Sequence, residues 1–169
     1  MRTITVEPCN PAWPGEFQKI REWLWPRIRD VALDMVHVGS TSVPGLAAKP
    51  IIDFIIVMES YDVFPGLVGR LRELEYEHEG DIGIPTRECF RGGPRDMFMT
   101  HYLYVCPKDS PELKRQIAFR DYLRQHAEAR EAYAALKQAL AEKHRHDIGA
   151  YTDGKHGFVM NILKLQTNP

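Results

Sequence analysis

The chain has 169 residues, with 22 Lys plus Arg against 23 Asp plus Glu, and a formal net charge of −1. That length suits one compact domain able to bury a real core, and a composition 44% hydrophobic and 27% charged is that of a globular protein. The near-neutral balance excludes a protein held to DNA or RNA by its global field, which would be markedly basic, but it leaves room for a local phosphate pocket. Three isolated cysteines, Cys9, Cys89 and Cys106, form no CxxC pair, so neither a zinc knuckle nor a disulfide framework is indicated and a reducing cytoplasm is expected. The opening residues Met1-Arg2-Thr3-Ile4-Thr5-Val6 carry no long apolar h-region. No apolar run approaches the roughly 20 residues of a membrane span, so no membrane partner is expected.

In chain order, Pro8 to Pro14 is a proline-punctuated entry, followed by an amphipathic helix over Gly15–Asp30 with Phe17, Ile20, Trp23 and Leu24 inward. Pro26 is expected to kink that helix or to start a new one. Two strand-like runs, Asp34–Val38 and Ile51–Met58, flank a Gly- and Pro-containing connection, and Val63–Leu74 has helical spacing. Tyr76–Gly80 alternates like an exposed strand, Asp81–Asp96 is rich in Gly, Pro and Arg with a short strand near Arg87–Phe90, and Met97–Cys106 reads as a strand. After Pro107 the pattern predicts three helices, Glu112–Gln125, Glu128–His144 and Ile148–Leu165, the last interrupted by Gly154 and Gly157. A sheet built first and helices following is an α+β order.

The segment from His37 to Asp53 carries the most chemistry. A strand runs into Gly39-Ser40, where the backbone is free to approach a ligand and the hydroxyls of Ser40, Thr41 and Ser42 stand where an anion would sit. An ordinary N-capped strand–turn–helix junction explains the same residues. A Walker A loop is excluded, because Gly39 and Gly45 are wrongly spaced and Lys49 does not follow Gly45. Asp53 is the one charge in Ile51–Met58, a run apolar on both faces as in a central strand. Such a carboxylate needs a metal, a cation, a hydrogen-bond donor or solvent; capping nearby amides, or pairing with Lys49 or an arginine, are the plain alternatives.

Gly39-Ser40 followed by Asp53 on the next strand resembles the nucleotidyltransferase superfamily, in which a Gly-Ser turn holds a triphosphate and strand carboxylates bind magnesium. The longer string GSTSVPGLAAKPIID, with GIPTRECF, FRDYLR, AYAALK and YTDGKHGF downstream, is similar to the GrpB family, the UPF0157 group of bacterial proteins, over nearly the whole chain. The resemblance implies one domain over 1–169. Its fold would be a nucleotidyltransferase-like mixed β-sheet flanked by helices, with a sheet core over about 31–106 and a helical C-terminal third over about 111–166. It also implies Mg²⁺ at Asp53. The pattern departs from that of active transferases in two places. Ile55 stands where a second carboxylate usually does, and Met97–Val105 contains no acid, although two-metal chemistry needs several oxygen ligands. His101 shares a face with Met97, Met99, Leu103 and Val105, which suits a core histidine, or a partner of Asp53 if the two strands are neighbours.

Basic residues in apolar stripes are a second, independent clue, since helices turn charges away from such stripes. At 3.6 residues per turn, Arg120 and Arg124 fall with Leu113 and Ile117, Lys155 lies among Tyr151, Phe158, Val159 and Ile162, and Lys137 borders Tyr133, Leu136 and Leu140. Snorkelling, or an Arg120 pair with Asp121 or Asp53, accounts for any one of them. Arg120, Lys137 and Lys155, together with Lys49, Arg87 and Arg91, suggest a phosphate cleft between sheet and helices. His144 and His146 suit a solvated helix end. His126 and His156 read likewise, and His37 reads as a packing residue or as one that orients the turn. The expected function is binding of a nucleoside triphosphate or another phosphorylated small molecule, with nucleotidyl transfer to an unknown acceptor. The alternative is a non-catalytic ligand-binding module that has lost the metal carboxylates.

Overall fold

The computed structural model describes residues 3–167; the ends of the expected 1–169 unit, including Met1-Arg2, lie outside the described residues. Helix α1 spans Trp13–Ile28 with Trp13, Ile20, Leu24 and Ile28 buried. Pro26 sits inside it without ending it, so no new helix starts there. Strand β1 is Asp34–Val38 and β2 is Ile52–Met58, joined through a 3-10 turn at Ser40–Ser42. Helix α2 (Phe64–Glu73) precedes β3 (Tyr76–Gly80), β4 (Glu88–Gly92) and β5 (His101–Pro107). The chain closes with α3 (Pro111–Gln125), α4 (Ala127–Lys143) and α5 (Ile148–Thr167).

The five strands form one mixed sheet in the order β1-β2-β5-β4-β3. Strands β2 and β5 are parallel, and the other neighbours are antiparallel. A parallel central pair is buried on both faces, which is why Ile52–Met58 is apolar at nearly every position. One face packs Ile52, Phe54, Ile56 and Met58 with Leu103 and Val105 against α1 and α2. The other packs Val38, Ile55, Val57 and Cys106 against Leu113 of α3.

The expected strand over Met97–Cys106 begins only at His101. The preceding residues turn back through a Met97 N–H bond to the Pro94 carbonyl, and Met97 is exposed. Gly154 explains itself: a Cβ there would run into the Leu140 side chain, so its absence lets α5 lie close against α4. Ser110 caps α3 through its hydroxyl on the Leu113 amide, with Pro111 in the first turn. The helices α3, α4 and α5 pack on one another beside the end of β1 and the start of β2, and the site forms there. No helix among the described residues is long and apolar enough to cross a membrane.

Candidate functional site

A cavity of about 330 Å³ opens where β1 gives way to the Ser40 turn. Gly39 and Ser40 form its rim, Asp53 its floor, Lys49, Lys137 and Lys155 its cationic wall, and Tyr102, Tyr104, Tyr133 and Tyr151 its aromatic lining. Three separated segments therefore converge: the turn after β1, the start of β2 with its β5 neighbour, and the inner faces of α4 and α5. A second cavity of about 240 Å³, lined by Arg115, Gln116, Phe119 and Arg120, shares Gly39, Ser40, Tyr133 and Lys155 with the first.

Gly39 has φ +69°, and a Cβ there would lie 2.6 Å from Asp53 Oδ2. Only glycine allows the turn to sit against the carboxylate at this backbone angle. Asp53 retains some accessible surface through the cavity, yet it is packed on its other sides. Burial holds its pKa up at about 6, against the opposing fields of Lys49, Lys155 and Arg87. Lys137 is 2% exposed. Its Nζ donates to Ser40 Oγ at 2.9 Å and to the Ala47 carbonyl, and it lies 4.8 Å from the Tyr133 ring centroid. Burial, followed by repulsion from Lys155 and Lys49, brings its pKa down to about 7. Lys155 lies over the Tyr151 ring at 4.4 Å; burial and Lys49 lower it to about 8, against the pull of Asp53. Lys49 approaches the same ring at 5.3 Å. Lys137 and Lys155, both held below the ordinary lysine pKa, face Asp53, whose own pKa is raised.

The other expected residues divide sharply. Thr41 and Ser42 are buried, and their hydroxyls are turned inward. Thr41 Oγ1 donates to the Ile51 carbonyl at 3.1 Å and meets His37 Nε2 at 3.0 Å, while Ser42 Oγ donates to the Gly39 carbonyl at 2.6 Å. They shape the turn rather than face an anion. His37 stacks on Phe17, ring centroids 4.8 Å apart, and burial together with Arg124 and Arg120 lowers it to about 4. It is a neutral packing residue that also holds Thr41.

Arg120 donates to the His37 carbonyl at 2.9 Å and to Asp121 at 2.7 Å. Arg124, which sequence reasoning did not assign to the site, grips the Ser42 carbonyl with two N–H groups. The two guanidinium groups of α3 thus clamp the backbone on either side of Gly39. Arg87 stands over the Tyr104 ring at 4.6 Å and 4.0 Å from Glu112, with its Nε buried and without a hydrogen-bond partner. It reaches Asp53 through its field rather than by lining the cavity.

Two expectations are corrected by sheet geometry. Strand neighbours share a face, and Asp53 pairs with Tyr102, so Asp53 shares its face with Tyr102 and Tyr104 while His101 points to the opposite one. There His101 bonds Tyr76 Oη at 2.8 Å and the Met99 carbonyl at 2.9 Å and lies against Phe54. It makes no pair with Asp53. Arg91 is exposed on β4, bound to Glu77 at 2.7 Å and 3.6 Å from Glu79, and lines a separate cavity beside His101.

The residues present do not fit a resident Mg²⁺ cluster. A two-metal cluster needs several oxygen ligands to hold its ions about 3.5–4 Å apart. Here a single carboxylate stands among three lysines, Ile55 turns away into the apolar layer beneath α3, and Tyr102 and Tyr104 occupy the β5 positions facing the site. Among the described residues no group of three His, Cys, Asp or Glu is placed to hold a metal.

The GrpB protein family model matches residues 3–165. The chain belongs to the GrpB family. Relatives include a UPF0157 protein of Pseudomonas aeruginosa, 37% identical over 95% of this chain and 66% of its own length. Another is the UPF0157 protein YqkA of Bacillus subtilis, 32% identical over 94% of this chain and 46% of its own length. The chain thus spans about half to two thirds of these relatives. The crystal structure of the conserved protein GrpB from Enterococcus faecalis superposes with a TM-score of 0.84 at 34% identity, covering 95% of this chain and 96% of that one. The Cid1 poly(U) polymerase, in a structure described as MgGTP bound, superposes with a TM-score of 0.58 at 12% identity, over 81% of this chain and 44% of that one. The GrpB chain therefore has a nucleotidyltransferase-like fold.

Proposed function

We propose that this protein binds a nucleoside triphosphate or another phosphorylated small molecule in the Asp53 cavity, with the lysines rather than a resident metal neutralising the phosphates. One observation carries this reading: Lys49, Lys137 and Lys155, from three separate segments, converge on a cavity in which Asp53 is the sole carboxylate among the described residues that line it. Lys137 is buried and Lys155 half-buried beside this one carboxylate, and desolvating cations in this way is costly unless an anion completes the site. Gly39 and Ser40 bring backbone and hydroxyl to the rim where such an anion would lie. The tyrosines of the lining suit the organic part of the ligand.

Binding of nucleotides by Cid1, on the same fold, supports a nucleotide as the phosphorylated ligand. The carboxylates of two-metal transfer are not assembled here, which favours a phosphoryl-ligand module over a metal-dependent nucleotidyltransferase. The deciding experiment titrates the protein with each nucleoside triphosphate, with and without Mg²⁺, while assaying pyrophosphate release. Saturable binding in a chelator supports the proposal. Failure to bind any triphosphate, pyrophosphate or phosphate overturns it.

A further inference from the structure

We propose that Ser40 is a nucleophile toward the phosphorus of a bound phosphoanhydride and that Lys137 is the base that takes its proton. The inference rests on the phosphate-binding reading of the cavity but makes a separate chemical claim. Ser40 Oγ stands 2.9 Å from Lys137 Nζ, within the reach that a general base needs. Ser40 is partly exposed and borders both cavities, whereas Thr41 and Ser42 spend their hydroxyls on backbone carbonyls. Thr41 also borders the first cavity, but its hydroxyl is held by the Ile51 carbonyl and His37, which leaves Ser40 as the turn hydroxyl bonded to Lys137.

Lys137 is 2% exposed and oriented, with one N–H on the Ala47 carbonyl and Nζ 4.8 Å from the Tyr133 ring centroid. A base held in this way, next to an otherwise weak hydroxyl nucleophile, is the arrangement that activates serine in Ser-Lys pairs. The groups facing Lys137 are Lys155 and Tyr151 from α5, Tyr133 on α4 itself, Lys49 ahead of β2 and Asp53 on β2. Burial first, then repulsion from Lys155 and Lys49, lowers the Lys137 pKa to about 7.

The step balances without a metal. The neutral Lys137 amine accepts the Ser40 proton, the Oγ–P bond forms and the P–O anhydride bond breaks. The leaving phosphate or pyrophosphate departs with the bonding pair, its charge met by Lys49 and Lys155. The phosphoryl or nucleotidyl group remains on Ser40, and Lys137 holds the proton until water or an acceptor takes the group and Ser40 is regenerated.

The test is mass spectrometry of the intact full chain, with peptide mapping. It follows incubation with α- and γ-labelled ATP and, in parallel, with a fluorophosphonate, whose P–F bond reports a nucleophilic serine without needing the nucleotide site. The expected result is an adduct on Ser40, absent from Ser40→Ala and slowed about 100-fold in Lys137→Met, the scale of one general base. Its rate should rise with pH through the region near 7 where Lys137 loses its proton. Lys137→Arg, which keeps the charge and cannot act as the base, should fail likewise, and thermal melting identifies any variant that has merely unfolded. Triphosphate binding without an adduct from either reagent overturns the Ser40 proposal and leaves the binding proposal standing. Fluorophosphonate labelling of Ser40 without triphosphate binding does the reverse.

Discussion

Gly39 and Asp53 are built for each other: a Cβ on residue 39 would lie 2.6 Å from Asp53 Oδ2, at a backbone φ of +69°. The absent side chain lets the carboxylate sit directly beneath the turn that carries Ser40. Gly39→Ala should therefore be destabilised by about 1–3 kcal/mol, from positive φ and overpacking together. Combining it with Asp53→Ala should recover part of that loss, because the contacts at 2.6 Å to Oδ2 and 3.1 Å to Cγ are removed while the 3.0 Å contact to the residue-53 Cβ and the backbone strain remain. Urea denaturation of the four proteins in the cycle measures this coupling.

Asp53 titrates against the stability of the free protein. In the unfolded chain a carboxyl near 3.9 is deprotonated by pH 5, while the folded group holds its proton to about pH 6. The folded state therefore binds more protons between those values. Its contribution to stability is fully present below about pH 4 and is lost as pH rises through 6, at most about 3 kcal/mol for such a shift. Asp53→Asn should be more stable than the wild type at pH 7.5 by about 1–3 kcal/mol, with the difference vanishing at pH 4. A variant less stable at pH 7.5 would mean that the lysines over-compensate the burial.

Lys137 and Lys155 run the other way. Their folded pKa values of about 7 and 8 lie below the unfolded lysine value. The unfolded state thus binds more protons across pH 7–10, and their contribution makes the free protein more stable as pH rises there. A bound anion favours the ammonium form of Lys155, so binding near pH 8 should take up protons, and affinity should fall by up to about tenfold between pH 6.5 and 9. Calorimetry in buffers of different ionisation enthalpy reads the proton uptake directly.

Position in the fold separates two basic residues, Lys155 on α5 and Arg91 on β4, that the sequence groups together in the cleft. Lys155→Gln should weaken triphosphate binding by about 10–100-fold, the loss of one buried charge-assisted contact. Arg91→Gln should leave it unchanged, since Arg91 is occupied with Glu77 away from the cavity. Equilibrium dialysis with labelled ATP distinguishes the two.

Much of this arrangement is legible in the sequence, and the exceptions have physical causes. Apolar periodicity located each helix and strand within a few residues, and a lone carboxylate on an apolar strand singled out Asp53. Basic residues in apolar stripes pointed to Lys137 and Lys155. Alternation along Met97–Val105 also grouped His101 correctly with Leu103 and Val105. It could not say which face of that strand would meet Asp53, because this depends on the parallel register Asp53↔Tyr102, a property of two strands about 50 residues apart. Partners for Arg120 and Arg124 were illegible for a related reason: they are main-chain carbonyls of His37 and Ser42, which no residue type announces. Arg91 was grouped with the cleft because its pairing with Glu77 arises only when β3 and β4 align.

The central claim is that lysines, not a metal cluster, draw phosphates into the Asp53 cavity. Calorimetric titration of the full chain with ATP in the presence of a chelator tests it most directly, with adenosine as the control. Saturable binding of ATP, absent for adenosine and lost in Lys155→Gln, is the predicted result. Binding that appears only when Mg²⁺ is supplied, or that survives Lys155→Gln unchanged, would contradict it.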